Sequence, residues 1–187
     1  MATETVLWRR LDLPGHEIAF LDELDQGWKL SATALFSCEE GPTKLDYAIV
    51  CDSGWRTDSA QINGAIGKRR VSLNVSVDAR RKWHLNGVEW GAVEGCLDID
   101  LGFSPSTNLL PIRRLALAVG EEATVRAAWL PFPSLDFALL PQVYRREGET
   151  TYRYESAGGA FVRSLEVNAV GFVTSYPGLW GAEPTPS

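Results

Sequence analysis

Alternation of apolar and polar positions dominates the first half of the chain. Val71, Leu73, Val75 and Val77 alternate with Ser72, Asn74 and Ser76, so one face of that segment is buried and the other wetted. Strand-like runs of the same kind cover residues 5–10, 28–36, 45–52, 55–63 and 81–85. Pro14-Gly15, Gly41-Pro42, Ser53-Gly54, Asn63-Gly64 and Asn86-Gly87 punctuate them. Gly and Asn tolerate positive φ, so these steps predict hairpin turns.

The pattern changes once. Ser106-Thr107-Asn108 offers capping side chains, and an apolar run follows to Val119, closed by Gly120. Pro111 suits a first helical turn, where its missing N–H is not needed. The spacing predicts a helix over 107–119, with Leu109, Ile112, Ala116 and Val119 on one face. Leu110, Leu115 and Leu117 cover much of the rest, and only Arg113 and Arg114 interrupt it. A short helix that is apolar nearly all round belongs inside a core. Strands then resume over 124–130, 142–146, 150–154, 161–167 and 171–176. The glycine clusters at 65–68 and 157–160 read as turns. A faint similarity between residues 52–63 and 155–168 hints at two related β halves around one helix. The expected architecture is mostly β, with many antiparallel strands wrapped around a single core helix. One domain spans residues 1–181, and residues 182–187, with Pro184 and Pro186, form a flexible tail.

Composition narrows the classes. The chain has 187 residues, 45% apolar and 22% charged, which suits one globular domain and excludes disorder over most of its length. The net charge of −6 lacks the basic footprint of a nucleic-acid binder. Six of the basic residues bracket one strand, as Lys68-Arg69-Arg70 and Arg80-Arg81-Lys82; they could attract an anionic head group or a membrane surface, and the simpler reading is solvated strand ends. No segment has the apolar length of a membrane span, and the N-terminus lacks the pattern of a signal peptide. Cys38, Cys51 and Cys96 are odd in number and widely spaced, which fits reduced, buried thiols. These features predict a cytoplasmic protein.

Candidate chemistry centres on Asp98 and Asp100. In a strand both carboxylates face one side, with Leu97, Ile99 and Leu101 on the other. They could bind a metal, serve as acid and base, or anchor a polar ligand. The structural alternative is ion pairing with Arg113 and Arg114, whose guanidinium fork matches a carboxylate. No further acid or histidine stands at ligand spacing, so neither metal nor cofactor is expected. Trp55 and Arg56 follow a tight turn and could offer a ring and a guanidinium to a sugar; alternatively Trp55 sits in the core and Arg56 in solvent. His16 and His84 carry no catalytic motif around them, and no phosphate loop or nucleophile elbow is present.

A resemblance adds to this reading. The run GCLDIDLGFSPSTNLLPIRRL at residues 95–115 resembles the signature of a bacterial family described as "Putative glycolipid-binding", first catalogued as a domain of unknown function. QVYRR at 142–146, YRYE at 152–155 and YPGLW at 176–180 agree with it. Asn168 stands where the family carries an acidic residue. The resemblance implies a spiral β-roll wrapped around a core helix, akin in shape to lipoprotein carriers that hold acylated ligands. The function expected is non-enzymatic binding of an amphiphile, such as a glycolipid, with Trp55, Arg56, Asp98, Asp100, Asn108, Arg113 and Arg114 as the polar set. The alternatives are an enzyme using Asp98 and Asp100 as acid and base on a small polar substrate, and a protein–protein module without a small ligand. For an amphiphile, about 0.8 kcal/mol per buried CH₂ would let the tail dominate affinity. Oligomeric state is not legible in the residues.

Overall fold

The computed structural model describes residues 4–184. Fifteen strands follow one another along the chain: β1 (Glu4–Arg10), β2 (Gly15–Leu24), β3 (Gly27–Cys38), β4 (Gly41–Cys51), β5 (Thr57–Ile66), β6 (Arg69–Val77), β7 (Trp83–Leu85), β8 (Val88–Glu89), β9 (Asp98–Leu101), β10 (Glu122–Leu130), β11 (Ala138–Arg146), β12 (Thr151–Ser156), β13 (Phe161–Val167), β14 (Val173–Tyr176) and β15 (Trp180–Ala182). Among the described residues a single α-helix, α1 (Leu109–Leu115), lies between β9 and β10. All fifteen strands join one sheet in the order β8-β7-β6-β5-β4-β3-β2-β1-β15-β14-β13-β12-β11-β10-β9. Nearly every neighbour is an antiparallel hairpin partner. The two exceptions define the fold. β1 pairs with β15, Trp8 opposite Ala182, and β9 runs parallel to β10, Asp98 opposite Ala127.

The sheet curls without closing as a barrel. Its β9 end approaches the other end, at β5 and the turn before β7, through isolated bonds: Thr57 N donates to Leu97 O at 2.9 Å, and Arg81 Nη2 reaches the Cys96 carbonyl at 3.1 Å. The result is a β-roll around the helix, as the pattern and the resemblance both predict. Inward positions form one continuous core in which Trp8, Ile49, Ile62, Trp83, Leu101 and Leu109 are fully buried.

Several boundaries differ from the sequence expectation. β2 was not expected at all. The Asn63-Gly64 step is strand rather than turn. Gly64 lies inside β5, where a Cβ would come within 2.0 Å of the Lys44 carbonyl, so glycine serves close strand approach there and the turn falls at Gly67-Lys68. Trp55 is not a strand residue; it has a φ of 65° in the turn before β5. The helix is shorter than 107–119. Residues 106–108 form a 3-10 turn, and α1 ends where Ala116 adopts the left-handed conformation at φ 45°, ψ 42°. Leaving the helix there lets Leu117 turn into the core while Ala116 and Val119 stay outside. The tail expected from Ala182 overlaps the last strand, since Ala182 ends β15 and Glu183 N donates to Leu7 O at 2.8 Å; residues 185–187 lie outside the described residues. The three cysteines are free, with Cys51 and Cys96 buried and Cys38 half-buried. Burial pushes the Cys51 thiol up to about 12 and the Cys96 thiol to about 11.

Candidate functional site

An open cleft of about 360 Å³ lies where β9, the segment leading into α1, and β10–β15 face one another. Asp100 and Asn108 supply its polar wall, and Trp129, Phe161, Tyr176 and Trp180 bring aromatic rings to it. β9 positions Asp100 by simple alternation: Leu101 points to the sealed core and Asp100 to the cleft. Gln142, on β11, holds this carboxylate by donating its Nε2 to Oδ2 at 2.5 Å, and the same amide reaches Tyr154 Oη at 3.0 Å. No donor among the described residues reaches Asp100 Oδ1. Burial pushes the Asp100 carboxyl up to about 6, against the Gln142 hydrogen bond and with the nearby Asp98 charge adding to the rise. Asn108 is fixed from both ends. Its Nδ2 donates to Pro105 O at 3.1 Å and its Oδ1 accepts from Tyr144 Oη at 2.8 Å. Gly102 keeps room here: a Cβ on it would stand 2.8 Å from Trp129 Nε1.

The other five residues of the expected polar set lie elsewhere. Asp98 shares the Asp100 side of β9, but α1 covers its end of the strand. Arg114 donates Nε and Nη2 to the two Asp98 oxygens at 2.9 and 2.5 Å, and Asp98 is only 1% exposed. This is the ion pair that the structural alternative described. Burial nevertheless holds the Asp98 carboxyl above its usual range, so desolvation outweighs what Arg114 returns. Arg113 turns to the opposite side of the helix and lies over the Trp55 ring, 5.0 Å from its centroid. Trp55 itself is buried against Trp28 in a stacked pair 4.6 Å apart. Arg56 is exposed and closes its own turn on Asp52 at 2.7 Å. Of the expected set, the cleft therefore takes Asp100 and Asn108, while Asp98 with Arg114 and Trp55 with Arg113 join the helix to the roll.

A buried polar cluster escaped the sequence reading. Glu17 on β2 is 1% exposed. Its Oε1 receives Tyr47 Oη of β4 at 2.6 Å and Ser104 Oγ at 2.6 Å. Ser106 Oγ bonds both Tyr47 Oη and Ser104 Oγ. Burial pushes Glu17 up to about 7, its two hydroxyl hydrogen bonds and the Arg10 charge only partly opposing. The signal was available, because Glu17 stands in phase with Ala19 and Leu21, which face the core.

The fold is thus a curled β-roll with a short helix and a cleft of mixed aromatic and polar lining. The chain belongs to the family described as "Putative glycolipid-binding", whose model matches residues 5–182. It is also similar to a DUF1089 family protein from Pseudomonas aeruginosa known from a crystal structure, with 30% identity, a TM-score of 0.77, and coverage of 97% of this chain and 92% of that one. No curated protein matches it. No helix among the described residues is long and apolar enough to cross a membrane.

Proposed function

We propose that the cleft binds the hydroxyl-rich head group of an amphiphile, a glycolipid in the terms of the family description. The observation that carries this is Asp100, a carboxylate with one oxygen held by Gln142 and the other open beside aromatic rings. A carboxylate accepts from two neighbouring hydroxyls, and a ring face covers the apolar C–H side of a sugar. Asn108 and Tyr176 supply further polar atoms at the same wall. The volume, about 360 Å³, is near the lower end of the ~300–1,000 Å³ usual for small-molecule sites. It suits one ring-sized head with the first carbons of a tail, so the head shares the affinity rather than only selecting.

The test is a matched series followed by tryptophan fluorescence: glucose, then alkyl β-glucosides of growing tail length, each below micelle formation. Affinity should rise over the first carbons and then level. Asp100→Asn should weaken octyl β-glucoside roughly tenfold or more, since hydrogen bonds to charged groups contribute ~1.5–3 kcal/mol. With Asp100 pushed up to about 6, its ionised form grows as pH rises, so affinity should climb between about pH 5 and about pH 7 and that climb should vanish in Asp100→Asn. Failure of octyl β-glucoside to bind at any pH would remove the reading.

A further inference from the structure

The cluster behind the cleft has more oxygen contacts than protons to fill them. Tyr47 Oη and Ser104 Oγ each lie 2.6 Å from Glu17 Oε1, and 2.8 Å from one another. Ser106 Oγ is 2.8 Å from Ser104 Oγ and closer still to Tyr47 Oη. That makes five oxygen–oxygen contacts. Three hydroxyls bring three protons, and each strong hydrogen bond uses one. If the Glu17 carboxyl is ionised, two of the five contacts set lone pairs against lone pairs. A fourth proton, carried by Glu17, leaves one. Glu17 Oε2 is also buried and has no partner, a costly place for ionised oxygen.

Few charges act on this carboxyl. Arg10 from β1 is the cation nearby, but its Nε and Nη2 are committed to Asp12 at 3.0 and 2.8 Å. Its remaining nitrogen, Nη1, is buried without a partner, and its guanidinium lies over the rings of Phe36 and Trp180. Tyr47 from β4 is the other titratable neighbour, and its own proton is held more tightly because of burial and the Glu17 charge. Ala34 on β3 and Trp8 on β1 stand opposite Glu17 in the ladders and bring no charge.

The Ser104–Ser106 end of the segment leading to Asn108 is tied to this cluster, while Asn108 is held by Tyr144 and Pro105. Ser104 Oγ also accepts from Ser106 N at 3.0 Å, tying the turn to the same point, and both Ser104 and Asn108 line the cleft. Resting on the reading of the cleft given above, we infer that Glu17, Tyr47, Ser104 and Ser106 form a proton-operated latch: the neutral carboxyl holds the Ser104–Asn108 wall of the cleft in its binding shape, and loss of that proton loosens the wall and releases the ligand. Ionisation puts a charge and two unprotonated contacts where the wall is anchored, and the repulsion falls on the wall rather than on β2 and β4, which are held on both sides by full ladders. The rise of Glu17 to about 7 places the event near neutral pH.

The test uses the full chain and Glu17→Gln, which stays neutral at every pH. In the native protein, carbon-13 NMR of labelled glutamate carboxyls should show one carbon titrating well above the others, near neutral pH, and absent from Glu17→Gln. A Glu17 carbon already ionised at about pH 5.5 overturns the latch. Amide exchange at Ser104, Ser106 and Asn108, corrected for its intrinsic rise with pH, should speed up severalfold between about pH 6.5 and about pH 8.5. The affinity for octyl β-glucoside should fall severalfold over the same range in the native protein and stay level in Glu17→Gln. A flat native profile, or an equal fall in both, overturns the proposal. If octyl β-glucoside binds at no pH, the cleft reading is lost, and the carboxyl titration with the exchange profile still decides the latch. If Glu17→Gln does not fold, those same two measurements on the native protein decide it.

Discussion

Single residues in this protein take their roles from what covers them. Asp98 and Asp100 are two apart on one strand side, yet the helix lies over one and the cleft over the other. Their spacing was legible in the sequence; the edge of the helix that separates them was not. The same holds for Arg113 and Arg114, one on a tryptophan ring and the other on a buried carboxylate. That contrast is measurable. Arg114→Met should destabilise the protein by ~3–5 kcal/mol in denaturant melts, because it strands the Asp98 charge. Adding Asp98→Leu to Arg114→Met should recover most of the loss. Arg113→Ala should cost only about 0.5–1 kcal/mol, the worth of a cation–ring contact at an exposed position. Similar losses for the two single arginine variants would show that the Asp98 pair carries no special weight.

Elements were legible where their pattern was regular. β6, with Val71 and Val75 buried, Leu73 and Val77 half-buried and exposed Ser72, Asn74 and Ser76 between, was read closely, and residues 161–167 were placed without error. β2 was missed because Ile-Ala-Phe-Leu runs together without a polar partner between, and because the inward residue that sets its phase is a glutamate. That missed strand carried the missed cluster. The helix was legible as an element but not at its end. Gly120 looked like the stop, whereas Ala116 takes the left-handed position itself. An L-residue with a Cβ pays roughly 1 kcal/mol there that glycine avoids. Ala116→Gly should therefore raise stability by about 0.5–1 kcal/mol, read as a shift in urea midpoint at unchanged slope. A loss of stability would mean that the left-handed turn is not held in solution.

At the scale of the whole molecule, the buried acids set how stability depends on pH. Glu17 rises from 4.5 to about 7 and Asp100 from 3.8 to about 6 on folding. Between those values the native chain holds more protons than the unfolded one, so stability falls as pH rises, and the loss is complete only about one pH unit above the Glu17 value, near about pH 8. Asp46 and Asp52 move the other way, lowered by Lys44 and Thr33 in one case and by the Arg56 turn in the other, so their contribution is lost as pH falls below about 4. Urea melts should show greatest stability near about pH 4.5, declining toward pH 8, and Glu17→Gln with Asp100→Asn should flatten that decline. A maximum near neutrality in the native protein would contradict the burial of these two groups.

The pairing of β1 with β15 was beyond the sequence, since nothing in either strand names its partner. It has a consequence for connectivity. The first and last strands run side by side in opposite directions, Arg10 opposite Trp180 and Trp8 opposite Ala182, so the start of β1 and the end of β15 leave the sheet on the same side. A linker of a few residues could join them. The chain could then be reopened at Asn86-Gly87, between the short outermost strands β7 and β8, while keeping every ladder from β1 to β7 and from β9 to β15. Such a rearranged chain would keep the strand order of the sheet while changing only which hairpin is left open.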